Sequence, residues 1–227
     1  MRVAITMNVV EAYEYFETRD AISHEWQNWL NVQDVEMIAV PNLSRKSDNY
    51  LGNIGADVLI LSGGNDVVPR YGDLKYAEKK RTETENFLLR EAVRREIPVF
   101  GICRGFHLIN MFFGGTITPD VKNAPGFNNH SNETHPIKLS ETFAKIAGSE
   151  KIEVNSYHNQ GIQADQVADN LSIIAFHPGD NLVEGLAHSS LPILAIQWHP
   201  ERNIPHHSFD TDIFKSLCFK GNFWDLG

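Results

Sequence analysis

The stretch Pro98-Val99-Phe100-Gly101-Ile102-Cys103-Arg104-Gly105, continued by Phe106-His107-Leu108-Ile109-Asn110-Met111-Phe112-Phe113, decides the fold. Pro98-Val99-Phe100 is a short apolar run that reads as a buried strand, and Phe106 to Phe113 reads as a helix packed on a sheet. Cys103 therefore stands on a strand-to-helix corner, with Gly101 and Gly105 two positions to either side. This is the Gly-x-nucleophile-x-Gly elbow with sulfur in place of a hydroxyl. A nucleophile at such a corner takes a strained backbone conformation, and side chains at the flanking positions would collide. The corner projects the thiol from the end of the sheet, and the N-terminus of the following helix favours the thiolate. A lone cysteine is otherwise a small, inert packing residue. Its downstream partners reverse that reading here.

Working outward toward the amino end, Arg2 to Met7 reads as a first strand, and the acidic, aromatic stretch Asn8 to Arg19 as a loop. Asp20 can cap a helix over Ala21 to Asn31, with Ile22, Trp26 and Leu30 on one face. Val35 to Val40 is a second strand. Asp57 to Leu61 is a third, wholly apolar, as expected where both faces of a parallel sheet are covered. A long connection, Val67 to Lys80, follows. Thr82-x-x-Glu85 reads as a capping box for a helix to Glu96, with Leu89, Val93 and Ile97 on one stripe.

Toward the carboxyl end, Gly114-Gly115 closes the elbow helix. Pro119 to Pro136, rich in Asn, His, Gly and Pro, reads as a loop long enough for an active-site flap. Strands are expected at Ile137–Leu139, Lys151–Val154, Leu171–Phe176, Leu182–Glu184 and Ile193–Trp198, closely enough spaced for antiparallel hairpins. Phe209, Ile213, Phe214 and Leu217 recur at helical spacing in the tail, and Cys218 reads as packing in that helix. The expected fold class is α/β: an open, mostly parallel sheet with helices on both faces, plus a small antiparallel β element. The chain reads as a single domain over 1–227, with 202–227 a tail helix.

Twenty basic against 29 acidic residues leave a formal charge of −9, which argues against a nucleic-acid surface. It leaves room for a phosphorylated small substrate, for which one local arginine pocket is enough. Two cysteines, Cys103 and Cys218, are too few for a disulfide framework and fit a reducing compartment. The apolar start turns polar at Asn8, too soon for a signal peptide, and no apolar run approaches the ~20 residues that span a bilayer. The expectation is a cytoplasmic protein without membrane contact.

Two further constellations carry chemistry. Gln197-Trp198-His199-Pro200-Glu201 follows an apolar strand. A cysteine nucleophile needs a base, and an acid that fixes the imidazole tautomer. If the strand before His199 is parallel to the elbow strand, His199 and Glu201 reach the carboxyl edge of the sheet beside Cys103. A His-x-Glu by itself is usually a solvated loop; following the elbow in this order it is far more specific. Ser62-Gly63-Gly64-Asn65-Asp66 is a glycine-rich strand end. Its backbone N–H groups, with that of Arg104, can serve a developing oxyanion, and an ordinary βα turn is the plain alternative.

Gly-Ile-Cys-Arg-Gly, Ser-Gly-Gly-Asn-Asp and Gln-Trp-His-Pro-Glu, in this order, resemble a class I glutamine amidotransferase domain, and within that group the free-standing γ-glutamyl-GABA hydrolase branch. Asp66 to Gly72 and Val154-Asn155-Ser156-Tyr157-His158-Asn159-Gln160 support the likeness, which runs from about Arg2 to Glu201. The resemblance implies a flavodoxin-like core and a Cys103-His199-Glu201 triad that attacks a γ-glutamyl carbonyl and passes through a thioester. It implies an oxyanion hole at Gly64 and Arg104. It places Gly63, Asn65, Arg70, His107, Asn155, Ser156, Tyr157 and His158 against the substrate. It implies no cofactor, and as partners a small γ-glutamyl substrate and at most a second copy of the chain as a homodimer. The family often has Gln four residues after the nucleophile, where His107 stands here. The stretch Glu14 to Trp26 is unlike the opening of the polyamine-pathway hydrolases. It is more similar to a subgroup of capsule and lipopolysaccharide biosynthesis that includes γ-glutamyl-CDP-amidate hydrolases.

No metal is expected, because His130, His135 and His206-His207 carry no ligand spacing of the Cys-x-x-Cys or His-Glu-x-x-His kind. Arg19, Arg70 and Arg104 are candidates for a phosphate or carboxylate of the leaving half, Arg19 also reading as plain solvated surface. The leading expectation is a hydrolase of a γ-glutamyl amide. A glutaminase subunit serving a partner synthetase and a non-catalytic binding relative are the rivals.

Overall fold

A computed structural model describes residues 1–12, 14, 17–43, 47–67, 76–128, 130–202 and 208–224. The elements run in the order β1 (Arg2–Thr6), β2 (Asn8–Ala12), β3 (Glu17–Ala21), α1 (His24–Val32), β4 (Glu36–Val40), α2 (Tyr50–Asn53), β5 (Val58–Leu61), α3 (Tyr76–Arg95), β6 (Val99–Ile102) and α4 (Arg104–Phe112). They continue with β7 (Ser131–Leu139), α5 (Glu141–Ala147), β8 (Lys151–Tyr157), β9 (Leu171–Phe176), β10 (Val183–His188), β11 (Ile193–Ile196) and α6 (Ser208–Lys220).

Nine strands form one sheet in the order β4-β1-β5-β6-β11-β10-β9-β7-β8. From β4 to β11 every pairing is parallel; from β11 through β10, β9 and β7 to β8 every pairing is antiparallel. The expected α/β fold, a mostly parallel sheet extended by antiparallel strands, is the observed one. Alternate residues of the central strands feed two cores. Val3, Ile5, Val58, Ile60, Phe100, Ile102, Leu194 and Ile196 pack with Trp26 and Leu30 of α1 and with Phe209, Ile213, Phe214 and Leu217 of α6. Ala4, Leu59, Leu61, Val99 and Ala195 pack with Leu88 and Leu89 of α3 and Phe106 and Ile109 of α4. Burial on both faces is why these strands are continuously apolar rather than alternating. Phe223 and Trp224 close on Phe143 at 5.9 and 6.3 Å, and burial pushes the Cys218 thiol up to about 12, as suits a packing residue.

Several local expectations are corrected. Asn8–Arg19 is not all loop: β2 and β3 pair as a separate two-stranded antiparallel sheet. Its strands carry charged, mostly exposed residues, and a lone hairpin of this kind is marginal. Outside contacts hold it, since the Asn65 side chain bonds both Val9 N (3.0 Å) and Val9 O (2.9 Å). The helix after it starts at His24 with Ser23 as its cap. Asp20 instead accepts from the Asn42 backbone (2.8 Å) and side chain (2.6 Å). Thr82 and Glu85 are not a capping box, because α3 begins at Tyr76 and places both mid-helix. The expected flap ends early, at the start of β7, and the strand expected at Leu182–Glu184 is the longer β10.

Candidate active site

Three strand ends meet at one edge. β6 lies between β5 and β11 and is parallel to both. The segments that follow them, Ser62-Gly63-Gly64, Cys103 and Gln197 to Glu201, therefore leave the carboxyl edge of the sheet side by side. The condition that the strand before His199 run parallel to the elbow strand is met, in the register Val99↔Ile193 to Ile102↔Ile196.

The elbow is tightly built. Cys103 has φ 51° and ψ −97°, an unfavourable region for a non-glycine residue, and its N–H is held by Ile196 O at 2.8 Å. A Cβ on Gly101 would lie 2.5 Å from Ile109 Cδ1, and one on Gly105 would run into Leu61 O and lie 2.8 Å from Leu61 Cβ. Both flanking glycines are thus steric requirements of the corner.

His199 is buried beside Cys103, whose sulfur favours charge on its ring. Its Nδ1 is 2.7 Å from Glu201 Oε1, so the ring presents Nε2 to the sulfur. Burial opposes charge on the imidazole, but the Glu201 carboxylate and the Cys103 sulfur outweigh it and push its pKa up to about 10. A ring so held has the chemistry to pair with an anion and to donate a proton. The backbone of His199 is clamped as well. Asn155 Nδ2 donates to His199 O and Asn155 Oδ1 accepts from His199 N, each at 2.8 Å. A Cβ on Gly63 would come 2.6 Å from His199 Cε1, so the bare glycine is what lets the imidazole close on the elbow.

A cavity of about 350 Å³ opens on Cys103, walled by Gly64, Asn65, Asp66, Arg104 and His107 on one side and Tyr157, His158, Asn159 and Gln160 on the other. Of the expected substrate contacts, Asn65, His107, Tyr157 and His158 line it, as do Gly64 and Arg104, the residues expected at the oxyanion hole. Burial pushes His107 down to about 3, so it is a neutral ring in the wall. The Tyr157 ring stands 5.9 Å from that of His199, and the Arg202 guanidinium lies 4.4 Å from the Tyr157 ring centre.

Two expected contacts are corrected. Both functions of the Asn155 amide are taken up by His199, and buried Ser156 donates its Oγ to His130 O at 2.8 Å. Both residues hold the wall from behind. The Arg104 guanidinium does not face an anionic ligand: it is buried against Glu85 and Thr82 Oγ1 (2.7 Å). Arg19 pairs with Glu17 on the surface, in line with its plain reading. Arg70 and His206-His207 lie outside the described residues.

A buried arginine that sequence reading passed over organises the glycine-rich turn. Arg81, fully buried in α3, donates to Ser62 O (2.8 Å), Gly63 O (2.9 Å) and Glu85 Oε1 (2.9 Å). A trans peptide directs its C=O and N–H to opposite sides. Holding Gly63 O toward Arg81 therefore turns the N–H of Gly64 the other way, out of the helix side. Glu85 also accepts from Arg104 and from Thr6 Oγ1 (2.9 Å), so two guanidinium groups share one carboxylate behind the nucleophile. Only the helical interval Arg81…Glu85 hinted at this, and it was spent on the capping-box reading.

The family model for Peptidase C26 matches residues 3–201. The chain is 30% identical, over 92% of each chain, to the glutamine amidotransferase-like protein YvdE of Lactococcus lactis. It is 28% identical to the γ-glutamyl-CDP-amidate hydrolase of Campylobacter jejuni, covering 89% of this chain and 90% of that one. Among solved structures, the glutaminase domain of Trypanosoma brucei CTPS with bound acivicin superposes with a TM-score of 0.66 at 16% identity, covering 98% of this chain and 95% of that one, a likeness of fold.

Proposed function

The chain belongs to the Peptidase C26 family, and on that premise we propose that it hydrolyses the γ-glutamyl amide bond of a small molecule, with Cys103 as nucleophile. The observation that carries the reading is the fixed tautomer of His199. Glu201 holds Nδ1, which leaves Nε2 for the sulfur at a solvent-lined cavity.

The Cys103 thiolate attacks the γ-carbonyl carbon, forming a C–S bond and placing the carbonyl electron pair on oxygen. The backbone N–H groups of Gly64 and Arg104 receive that oxyanion, the first turned outward by Arg81 and the second at the start of α4. Collapse breaks the C–N bond as the imidazolium of His199 gives its proton to the departing nitrogen. A γ-glutamyl thioester remains. Water then yields a proton to His199 and adds to the thioester carbonyl. The second collapse releases glutamate and restores the thiolate. Net, one amide and one water give glutamate and the free amine.

For the amine half we infer a nucleotide phosphoramidate, with γ-glutamyl-CDP-amidate as substrate. The Campylobacter relative bears that activity in its name, and the Arg202 guanidinium, stacked on the Tyr157 ring that lines the cavity, supports the reading as a cation within reach of a diphosphate. γ-Glutamyl-GABA is the alternative; its leaving half offers that cation a single carboxylate, where a nucleotide diphosphate offers more charge and more acceptor oxygens.

The experiment is glutamate release from glutamine, γ-glutamyl-GABA, a γ-glutamyl dipeptide and γ-glutamyl-CDP-amidate, with Cys103→Ala and Arg202→Ala beside the wild type. Cys103→Ala is expected to lose turnover by on the order of 10³-fold or more, and undiminished release would remove the nucleophile assignment. Arg202→Ala is expected to raise KM for the nucleotide conjugate about tenfold and to raise that for γ-glutamyl-GABA by less. Hydrolysis of glutamine only with a second protein present would favour a glutaminase subunit. No release from any member of the panel would leave a binding relative.

A further inference from the structure

Behind the tyrosine wall of the cavity, on the antiparallel flank of the sheet, lies a buried cluster that the reaction above does not use. His130 stands just before β7, His135 lies on β7, His158 just after β8, and Glu184 on β10. All four are buried, and one ligand atom from each lies within 4.8 Å of every other. Glu184 Oε1 is 3.7 Å from His158 Nε2 and 3.9 Å from His135 Nε2, too far for a hydrogen bond.

The tautomers make this arrangement informative. His130 Nε2 is 2.8 Å from Asp180 Oδ2, His158 Nδ1 is 2.8 Å from Gln160 O, and His135 Nδ1 is 3.3 Å from Pro136 O. Each of those partners is an acceptor, so each of those nitrogens carries the proton. The other nitrogens, His130 Nδ1, His135 Nε2 and His158 Nε2, then turn lone pairs inward, toward a carboxylate. These three nitrogens and both oxygens of Glu184 are buried without a hydrogen-bond partner. Buried acceptors that face one another without a hydrogen bond between them are costly, and a cation at their centre would satisfy all of them. Metal-ligating histidines characteristically give their second N–H to a carboxylate or backbone carbonyl, which is the pattern here.

We propose that His130, His135, His158 and Glu184 bind a divalent transition-metal ion of the zinc class, as a closed, structural site. Imidazole nitrogen with a carboxylate oxygen suits zinc, and four protein ligands leave no open position for chemistry. Metal–ligand bonds of ~2.1 Å imply separations of roughly 3.4 Å between tetrahedral ligands, so the rings need to close by about 1 Å. Burial lowers His135 and takes His158 down to about 3, which keeps their metal-binding forms at neutral pH. Asp180 is itself fixed, accepting from Asn128 N (2.9 Å), Leu182 N (3.2 Å) and the ring of His177 (2.8 Å).

The site would cross-link the flank that carries the substrate wall. His158 lines the cavity, His130 O accepts from both His158 N (2.9 Å) and Ser156 Oγ (2.8 Å), and Glu184 O accepts from Gln197 N (2.8 Å), two residues before His199. Sequence spacing hid it because the ligands stand 5, 23 and 26 residues apart and come together only through strand pairing.

The test is metal content and spectroscopy on the full chain without an affinity tag. After dialysis against metal-free buffer, elemental analysis is expected to find about one zinc-class ion per chain, and Cys103→Ala to retain it. His135→Asn and Glu184→Gln, each checked for folding by circular dichroism, are expected to fall to about a tenth of that or less. Cobalt(II) added to protein stripped with chelator should give the visible bands of tetrahedral coordination, and zinc should raise the Tm of stripped wild type but not of Glu184→Gln. The proposal is overturned if the wild type holds no metal and zinc leaves its Tm unchanged. It is equally overturned if the metal is retained in both ligand variants and lost in Cys103→Ala, which would put the ion on the nucleophile.

Discussion

Replacing Glu201 by Gln keeps the shape of the side chain, and an acceptor at the His199 Nδ1 position, while removing the charge. Glu201 Oε1 lies 2.7 Å from that nitrogen in a buried site, and the imidazole is pushed up to about 10. A hydrogen bond to a charged group is worth about 1.5–3 kcal/mol. One pKa unit corresponds to about 1.4 kcal/mol, so the substitution should lower His199 by about one to two units. Loss of the protonated ring removes the proton donor to the leaving nitrogen. The alkaline limb of kcat/KM, expected near 10 in the wild type, should therefore move to about 8–9 in Glu201→Gln. The stability effect has a definite sign. The folded pKa lies above the ordinary value of 6.5, so the contribution of charged His199 is complete below 6.5 and is lost as pH rises through about 10. The Tm gap between wild type and variant should be widest below 6.5 and narrow toward 10. Continuous glutamate release and thermal melts across that range measure both. Coincident alkaline limbs would refute the reasoning, because Glu201 would then do no more than fill space.

Arg81→Lys cannot hold both carbonyls of the glycine turn, so kcat should fall about 10²-fold with KM within about twofold, read from full saturation curves. Asn155→Ala removes both bonds on the His199 backbone and should cost about 1–3 kcal/mol in denaturant unfolding, with a loss in kcat larger than any change in KM. Burial pushes Asp210 up to about 7, against a Trp198 indole N–H that donates to it at 2.9 Å. Its raised pKa means stability is lost as pH rises from the ordinary 3.8 through about 7. Asp210→Asn still accepts the indole N–H and should be more stable than wild type by up to about 4 kcal/mol above that range, a gap that urea midpoints at mildly acidic and alkaline pH would show closing toward acid.

Much of the fold was legible because it depends on short-range rules. Val58 to Leu61 and Val99 to Ile102 are apolar without alternation, which is what burial on both faces demands, and the observed strands lie within those runs. The elbow was legible because its strand run, paired glycines and helix run lie in one segment, although the collision that keeps Gly105 bare is with Leu61 of the neighbouring strand. The β2–β3 hairpin was not: apolar and charged residues mix on both its faces, and Asn65, more than 50 residues away, tethers it. Glu85 was misread for a related reason. Thr82-x-x-Glu85 has the composition of a cap, and only the earlier start of the helix and the approach of Arg104 from α4 make Glu85 a shared counter-ion.

By itself the sequence determined the reactive corner, the order of the three strand-end motifs and the α/β class, because each rests on residue size, backbone freedom and hydrophobic period within one segment. Tertiary structure alone decided that β11 lies parallel beside β6, which is what brings His199 to Cys103. It also decided that Asn155 and Ser156 hold the wall rather than face the cavity, that Arg81 orients the glycine turn, and that four scattered acceptors converge under it. These depend on which strands pair and in what register, and a register step of one residue turns every side chain to the other face.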